Sequence, residues 1–142
     1  LTDYLVDVNV LIALADEDHV HHNLATQWLD SIGNRHWGPC AFSQAGFLRI
    51  KANPALSQYS IKDAGKVLRD LSRHASYRFW PISDDWVTLT APFLDRVFGH
   101  QQVTDAYLLG LAIKGGGILV TFDQAVKYMA GPLYRSHVLI LG

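Results

Sequence analysis

A chain of 142 residues is about one domain long, and area scaling lets it bury roughly 68% of its unfolded surface without covalent staples. With 49% hydrophobic and 18% charged residues, the composition excludes a disordered tail, a collagen-like fibre and a coiled coil. Twelve basic against thirteen acidic residues leave a net charge of −1, so any contact with nucleic acid must come from a local patch.

Cys40 is the sole cysteine, which excludes an internal disulfide and a multi-cysteine zinc site. It reads most simply as a small buried hydrophobe. No apolar run approaches the ~18 residues of a membrane span. The stretch from Leu1 to Ala15 carries Asp3 and Asp7 and no basic residue, a poor signal peptide. A cytoplasmic location without a membrane segment is expected.

In chain order, Tyr4-Leu5-Val6 suits a buried strand, and Asn9 is a good N-cap for a helix over Val10 to Ala15. A second helix is expected from His19 to Ser31, stopped by Gly33-Asn34. A short strand over His36 to Pro39 precedes a helix from Ser43 to Ala52. Ser60 caps an amphipathic helix with Asp63 at its third position, close to a capping box. Arg78 to Ile82 reads as a strand, and Asp84 or Asp85 starts a helix that Pro92 must kink or shorten. Val103 to Lys114 is apolar nearly all round, a central buried helix that Gly115-Gly116-Gly117 ends. Ile118 to Phe122 is the clearest strand, and His137 to Leu141 is the last. Strands rich in Val, Ile and Leu alternating with helices indicate one α/β domain over residues 1–142, with a small central parallel sheet flanked by helices.

Twelve of the thirteen acids are Asp, and their positions are informative. Asp7 and Asp123 each follow a buried strand, where ligands collect in open α/β sheets. Asp105 opens the buried helix. Three carboxylates converging there would repel one another unless a cation lay between them, and hard oxygen ligands suit Mg²⁺ or Mn²⁺. Each Asp is equally at home as a helix cap, so spacing alone leaves both readings open.

The segments Leu5-Val6-Asp7-Val8-Asn9-Val10-Leu11-Ile12-Ala13-Leu14, Gly46-Phe47-Leu48-Arg49-Ile50, Val103-Thr104-Asp105-Ala106-Tyr107-Leu108-Leu109 and Leu119-Val120-Thr121-Phe122-Asp123 resemble the signature segments of PIN-domain proteins. More narrowly, they are similar to VapC-type toxins of bacterial toxin–antitoxin pairs. The resemblance implies a metal-dependent endoribonuclease that leaves 5′-phosphate and 3′-hydroxyl ends. It also implies a homodimer and an antitoxin whose tail enters the active site. By matching position, Asp7, Asp105 and Asp123 would hold Mg²⁺ or Mn²⁺, with Asn9, Thr104 and Thr121 supporting them or positioning water. Where the family usually has a Glu just before the Gly-Phe-Leu-Arg segment, this chain has Gln44. Gln44 is therefore expected at the edge of the metal cleft, with activity reduced by the missing charge. The alternative is a catalytically weak PIN-like protein that binds RNA or antitoxin without efficient cleavage.

Lys62, Lys66, Arg69 and Arg73 recur at spacings that share one helix face, a candidate ridge for RNA or an acidic antitoxin, or else a solvated surface. Arg49 is a further candidate contact. His19, His21 and His22 lack the i, i+4 spacing of paired metal ligands and read as surface or capping groups. Trp28, Trp37, Trp80 and Trp86 are more in keeping with core or dimer contacts than with base stacking. A phosphatase of the haloacid-dehalogenase type would need a second acid where Asn9 stands, and a receiver domain would need an acidic pair near the first strand.

Overall fold

The computed structural model describes residues 3–142; residues 1 and 2 of the expected domain lie outside the described residues. Four strands, β1 (Tyr4–Val6), β2 (Trp37–Gly38), β3 (Ile118–Thr121) and β4 (Val138–Ile140), form one parallel sheet in the order β2-β1-β3-β4. Seven helices surround it: α1 (Val8–Ala15), α2 (His22–Ser31), α3 (Ala41–Lys51), α4 (Ile61–Leu71), α5 (Trp86–Thr90), α6 (Val103–Lys114) and α7 (Gln124–Tyr134).

Alternation along the central strands sorts the core into two layers. Val6 and Val120 pack with Leu11, Trp28 and Phe47 on the face covered by α1 to α4. Leu5 and Leu119 pack with Leu108, Leu109 and Met129 on the face covered by α5 to α7. Leu5, Val6, Leu119 and Val120 are fully buried, as a sheet covered on both faces requires. The chain leaves β1 for β2 on one side and later enters β3 on the other. The switch point therefore falls between β1 and β3, where a crevice opens beyond the strand ends.

Several expectations need correction. The cap of α1 is Asp7, not Asn9: Asp7 is extended, its carboxylate accepts from the Val8 N–H, and the helix starts at Val8. The second helix begins at His22, because His22 bonds back to the Ala13 carbonyl and the His19–His21 stretch is a turn. The third helix starts at Ala41, capped at buried Cys40. Arg78 to Ile82 is not a strand. It makes bridge contacts beside short β2, through the Arg78 N–H to Trp37 and the Trp80 N–H to Pro39, and Pro81 has no N–H to extend the pairing. Asp85 caps α5, and the chain tightens into a 3₁₀ turn over Ala91–Arg96 at Pro92. Helix α7 was not anticipated, because Gly131-Pro132 interrupts its pattern; Gly131 adopts a φ of 64° that kinks the last turn.

Candidate active site

The switch-point crevice is a cleft of about 460 Å³ that brings Asp7, Asp105 and Asp123 together with Asn9, Thr104 and Arg49. Three elements deliver the acids. Asp7 follows β1, Asp123 follows β3, and Asp105 stands in the first turn of α6. Acids far apart in sequence thus line one cleft.

Their surroundings differ. Asp7 is 6% exposed, and both its oxygens are engaged. Oδ1 accepts from the Val8 N–H at 2.6 Å, and Oδ2 accepts from the Thr121 hydroxyl at 2.7 Å. Thr121 Oγ1 in turn accepts from the Asp123 N–H at 3.1 Å, so one buried hydroxyl ties two of the acids to β3. Asp123 caps α7, its Oδ1 accepting from the Ala125 N–H at 2.9 Å. Among the described residues, none donates to the Asp105 carboxylate.

That difference has an electrostatic consequence. Burial pushes Asp105 up to about 7, and the charges of Asp7 and Asp123 push the same way. Burial also raises Asp7, countered by its bonds to Thr121 and Val8 and reinforced by Asp123. The three carboxyls are in one field, yet they do not form a tight cage. Among the described residues, no three His, Cys, Asp or Glu side chains are gathered closely enough to hold a metal by themselves. The donor set still fits a hard divalent cation of the kind that keeps several waters and uses one or two carboxylates with substrate oxygens.

The α3 wall of the cleft consists of Phe42, Ala45, Gly46, Arg49 and Ile50. Gln44 is not part of it. It faces away, into a separate groove with Tyr77, Arg69 and Phe79. There burial raises the Tyr77 phenol, and the Gln44 amide beside it partly offsets the rise. The expectation of Gln44 at the cleft edge fails on helical phase: residues 42, 45, 46 and 49 share the cleft face, and 44 lies almost opposite. Gly46 is the residue that sequence reasoning missed. A Cβ there would stand 2.5 Å from Val8 Cγ2, so α3 can approach the Asp7 turn only without a side chain at this position. No carboxylate enters the cleft from α3. Arg49 does, and it forms no ion pair among the described residues.

The remaining candidates lie elsewhere. Lys62, Lys66 and Arg69 are exposed on α4, where Asp63 and Asp70 dilute them; Arg73, expected on the same helix face, lies in the turn after the helix ends at Leu71 and pairs with Asp70 at 2.9 Å. Trp28 and Trp37 are core residues, Trp80 donates to the Tyr4 carbonyl, and Trp86 to the Val103 carbonyl. His21 stacks on Phe122 beside Asp123. Among the described residues, no helix is long and apolar enough to cross a membrane.

A parallel sheet with a carboxylate cleft at its switch point defines a class, and a family model for the PIN domain matches residues 4–132. The chain belongs to the PIN-domain family. Its relatives narrow this to the VapC type. Ribonuclease VapC38 of Mycobacterium tuberculosis is 40% identical over 139 residues, covering 96% of each chain. Ribonuclease VapC39 of the same organism is 38% identical over 124 residues, covering 86% of this chain and 89% of its own length. Among solved structures, VapBC2 from Rickettsia felis bound to a promoter DNA fragment superposes with a TM-score of 0.69 at 12% identity, covering 99% of this chain and 100% of that one. FitAcB from Neisseria gonorrhoeae gives 0.62 at 15% identity, covering 98% and 96%. Those two likenesses establish the fold.

Proposed function

We propose that this chain is an endoribonuclease toxin of a toxin–antitoxin pair, dependent on Mg²⁺ or Mn²⁺ and acting on RNA phosphodiesters at the Asp7–Asp105–Asp123 cleft. The observation that carries it is Asp105, a largely buried carboxylate with no donor among the described residues, facing two further acids. Such a group is costly to ionise alone and becomes useful when a cation is present. The ribonuclease names of relatives at 38–40% identity support the reaction class. The toxin–antitoxin assembly of VapBC2 supports an antitoxin as partner.

The residues divide the work. Asp7 and Asp123 are held rigidly by Thr121 and by the helix N–H groups they cap. Asp105 is the adjustable member, free to give up its proton when a positive charge arrives. Arg49, unpaired at the opposite wall, can take a phosphate oxygen through its guanidinium fork. A bound divalent ion would supply an acidified water and offset charge on the phosphodiester. Asn9 and Thr104, exposed in the same cleft, can hydrogen-bond a water or a sugar hydroxyl.

The test is RNA cleavage in Mn²⁺ by the wild type and by Asp105→Asn. A loss of about a hundredfold or more is expected, with the fold intact. Cleavage that persists in Asp105→Asn, or in excess EDTA, would overturn the assignment. The reading as a weak binder rested on Gln44, and Gln44 faces another groove.

A further inference from the structure

Helix α7 leads away from the cleft, and its outer end carries a groove that the cleft chemistry does not use. About 400 Å³ in volume, it is lined by Arg96, Lys127, Tyr128, Gly131, Pro132 and Arg135. Its floor is apolar and its rim is cationic. Tyr128 is 70% exposed, an aromatic face open to solvent. Among the described residues none of Arg96, Lys127 and Arg135 stands in an ion pair, and no acidic side chain lines the groove. What distinguishes the three cations is that they border one apolar groove beside an exposed ring.

The groove is also built. Arg96 Nε donates to the Tyr128 carbonyl at 2.8 Å, which fixes the guanidinium against α7. Gly131 makes room for it: a Cβ at that position would stand 2.7 Å from Arg96 Nε, and the backbone there has a φ of 64°. Arg135 is steadied by a 3.0 Å bond from Nη1 to the Val138 carbonyl. Two of the three cations are thus pinned through one nitrogen, with other donors left over.

Position decides what would occupy it. Asp123 caps α7, and Lys127 follows it by four residues, about 6 Å of helix rise; Gly131 follows by about 12 Å. A strand leaving the cleft along α7 would meet Lys127, then Tyr128, then Arg96 and Arg135. Non-specific single-strand binding combines cations for the backbone with exposed rings for the bases. An acidic peptide could satisfy the cations but would leave the Tyr128 face without a matched partner.

We propose that the α7 groove is a second contact site for the RNA strand engaged in the cleft, with Tyr128 stacking a base and Lys127, Arg96 and Arg135 taking the neighbouring phosphates. This rests on the ribonuclease reading above. It makes the groove, not the acidic cleft, the source of affinity for the flanking nucleotides.

The experiment measures binding of a short mixed-sequence single-stranded RNA in EDTA across a range of salt, by fluorescence anisotropy, alongside cleavage of the same RNA in Mn²⁺. Lys127→Ala should reduce the log–log salt slope by about 0.7. Tyr128→Ala should weaken binding by roughly fivefold to a hundredfold, and Tyr128→Phe should restore it. Unchanged affinity and slope in Lys127→Ala and Tyr128→Ala, with the wild type cleaving normally, would overturn the groove and leave the ribonuclease reading standing. A wild type that binds through the groove but cleaves no RNA would overturn the ribonuclease reading instead. Sedimentation is run in parallel. Variants that lose a dimer, or that lose only binding to an acidic peptide, would show the face to be a protein interface and would defeat the proposal.

Discussion

The acidic cleft and the basic face of α4 look alike on paper, each a set of like charges, and they differ in almost every physical respect. Asp7, Asp105 and Asp123 come from three distant segments and meet in a partly buried crevice, where burial and mutual repulsion lift Asp105 to about 7. Lys62, Lys66 and Arg69 come from one helix and Arg73 from the turn that follows it; all four stand in water and share their surface with Asp63 and Asp70. Convergence through the fold concentrates electrostatic energy, whereas periodicity along a helix spreads it out. The first arrangement can be altered by a cation; the second is largely screened already.

Four substitutions test that contrast. Thr121→Val removes the hydroxyl that ties Asp7 to Asp123 and leaves a buried carboxylate oxygen without its donor. A loss of roughly 2–3 kcal/mol in urea unfolding is expected, with Asp7 raised further and cleavage impaired. An unchanged denaturation midpoint would show that the two acids are held by the backbone alone.

The second concerns pH. Between roughly pH 4 and pH 7, folded Asp105 keeps a proton that the unfolded chain has released. Folding therefore binds protons in that window, and stability falls as pH rises through it. Asp105→Asn should be more stable than the wild type at pH 8 by about 1–2 kcal/mol, allowing for solvent at the cleft mouth, and no different near pH 4. In thermal melts without divalent ions that is a gain of roughly 3–8 °C. A variant that melts below the wild type at pH 8 would contradict the cost of ionising Asp105 in the cleft.

The smallest effects belong to the exposed charges. Arg73→Ala, which breaks the Asp70 pair, should change stability by less than about 0.5 kcal/mol. Gln44→Glu should leave the cleavage rate in Mn²⁺ unchanged, because the side chain faces Tyr77 and Arg69 instead of the acids. A rate gain in Gln44→Glu would mean that α3 turns its other face to the cleft.

Much of this was legible in the sequence because it rests on local signals. β1, β3 and α6 announce themselves by apolar runs, and an Asp directly after a parallel strand already points to the strand-end crevice. Two things were not legible. The phase of α3 depends on how it leans against Val8, and with an apolar pattern this weak the sequence does not say which face of Ser43–Ile50 meets the acids; only the contact at Gly46 settles it. Helix α7 hides behind Gly131-Pro132, which reads as a break. In the fold it is a kink made possible by the glycine's φ and braced by Arg96. Capping was ambiguous for a related reason: Asp7 both caps α1 through Oδ1 and lines the cleft, with Oδ2 held by the Thr121 hydroxyl.

Burial, reinforced by the charges of Asp7 and Asp123, makes Asp105 costly to ionise, and a divalent cation in the cleft would relieve that cost. Calorimetric titration of Mn²⁺ into the wild type and Asp105→Asn, at pH 6 and pH 8, reads this directly. Wild-type affinity should rise between the two pH values, because at pH 6 the ion must displace a proton from Asp105, and Asp105→Asn should bind more weakly with a smaller pH step. Equal affinities for the two proteins at both pH values would contradict the account.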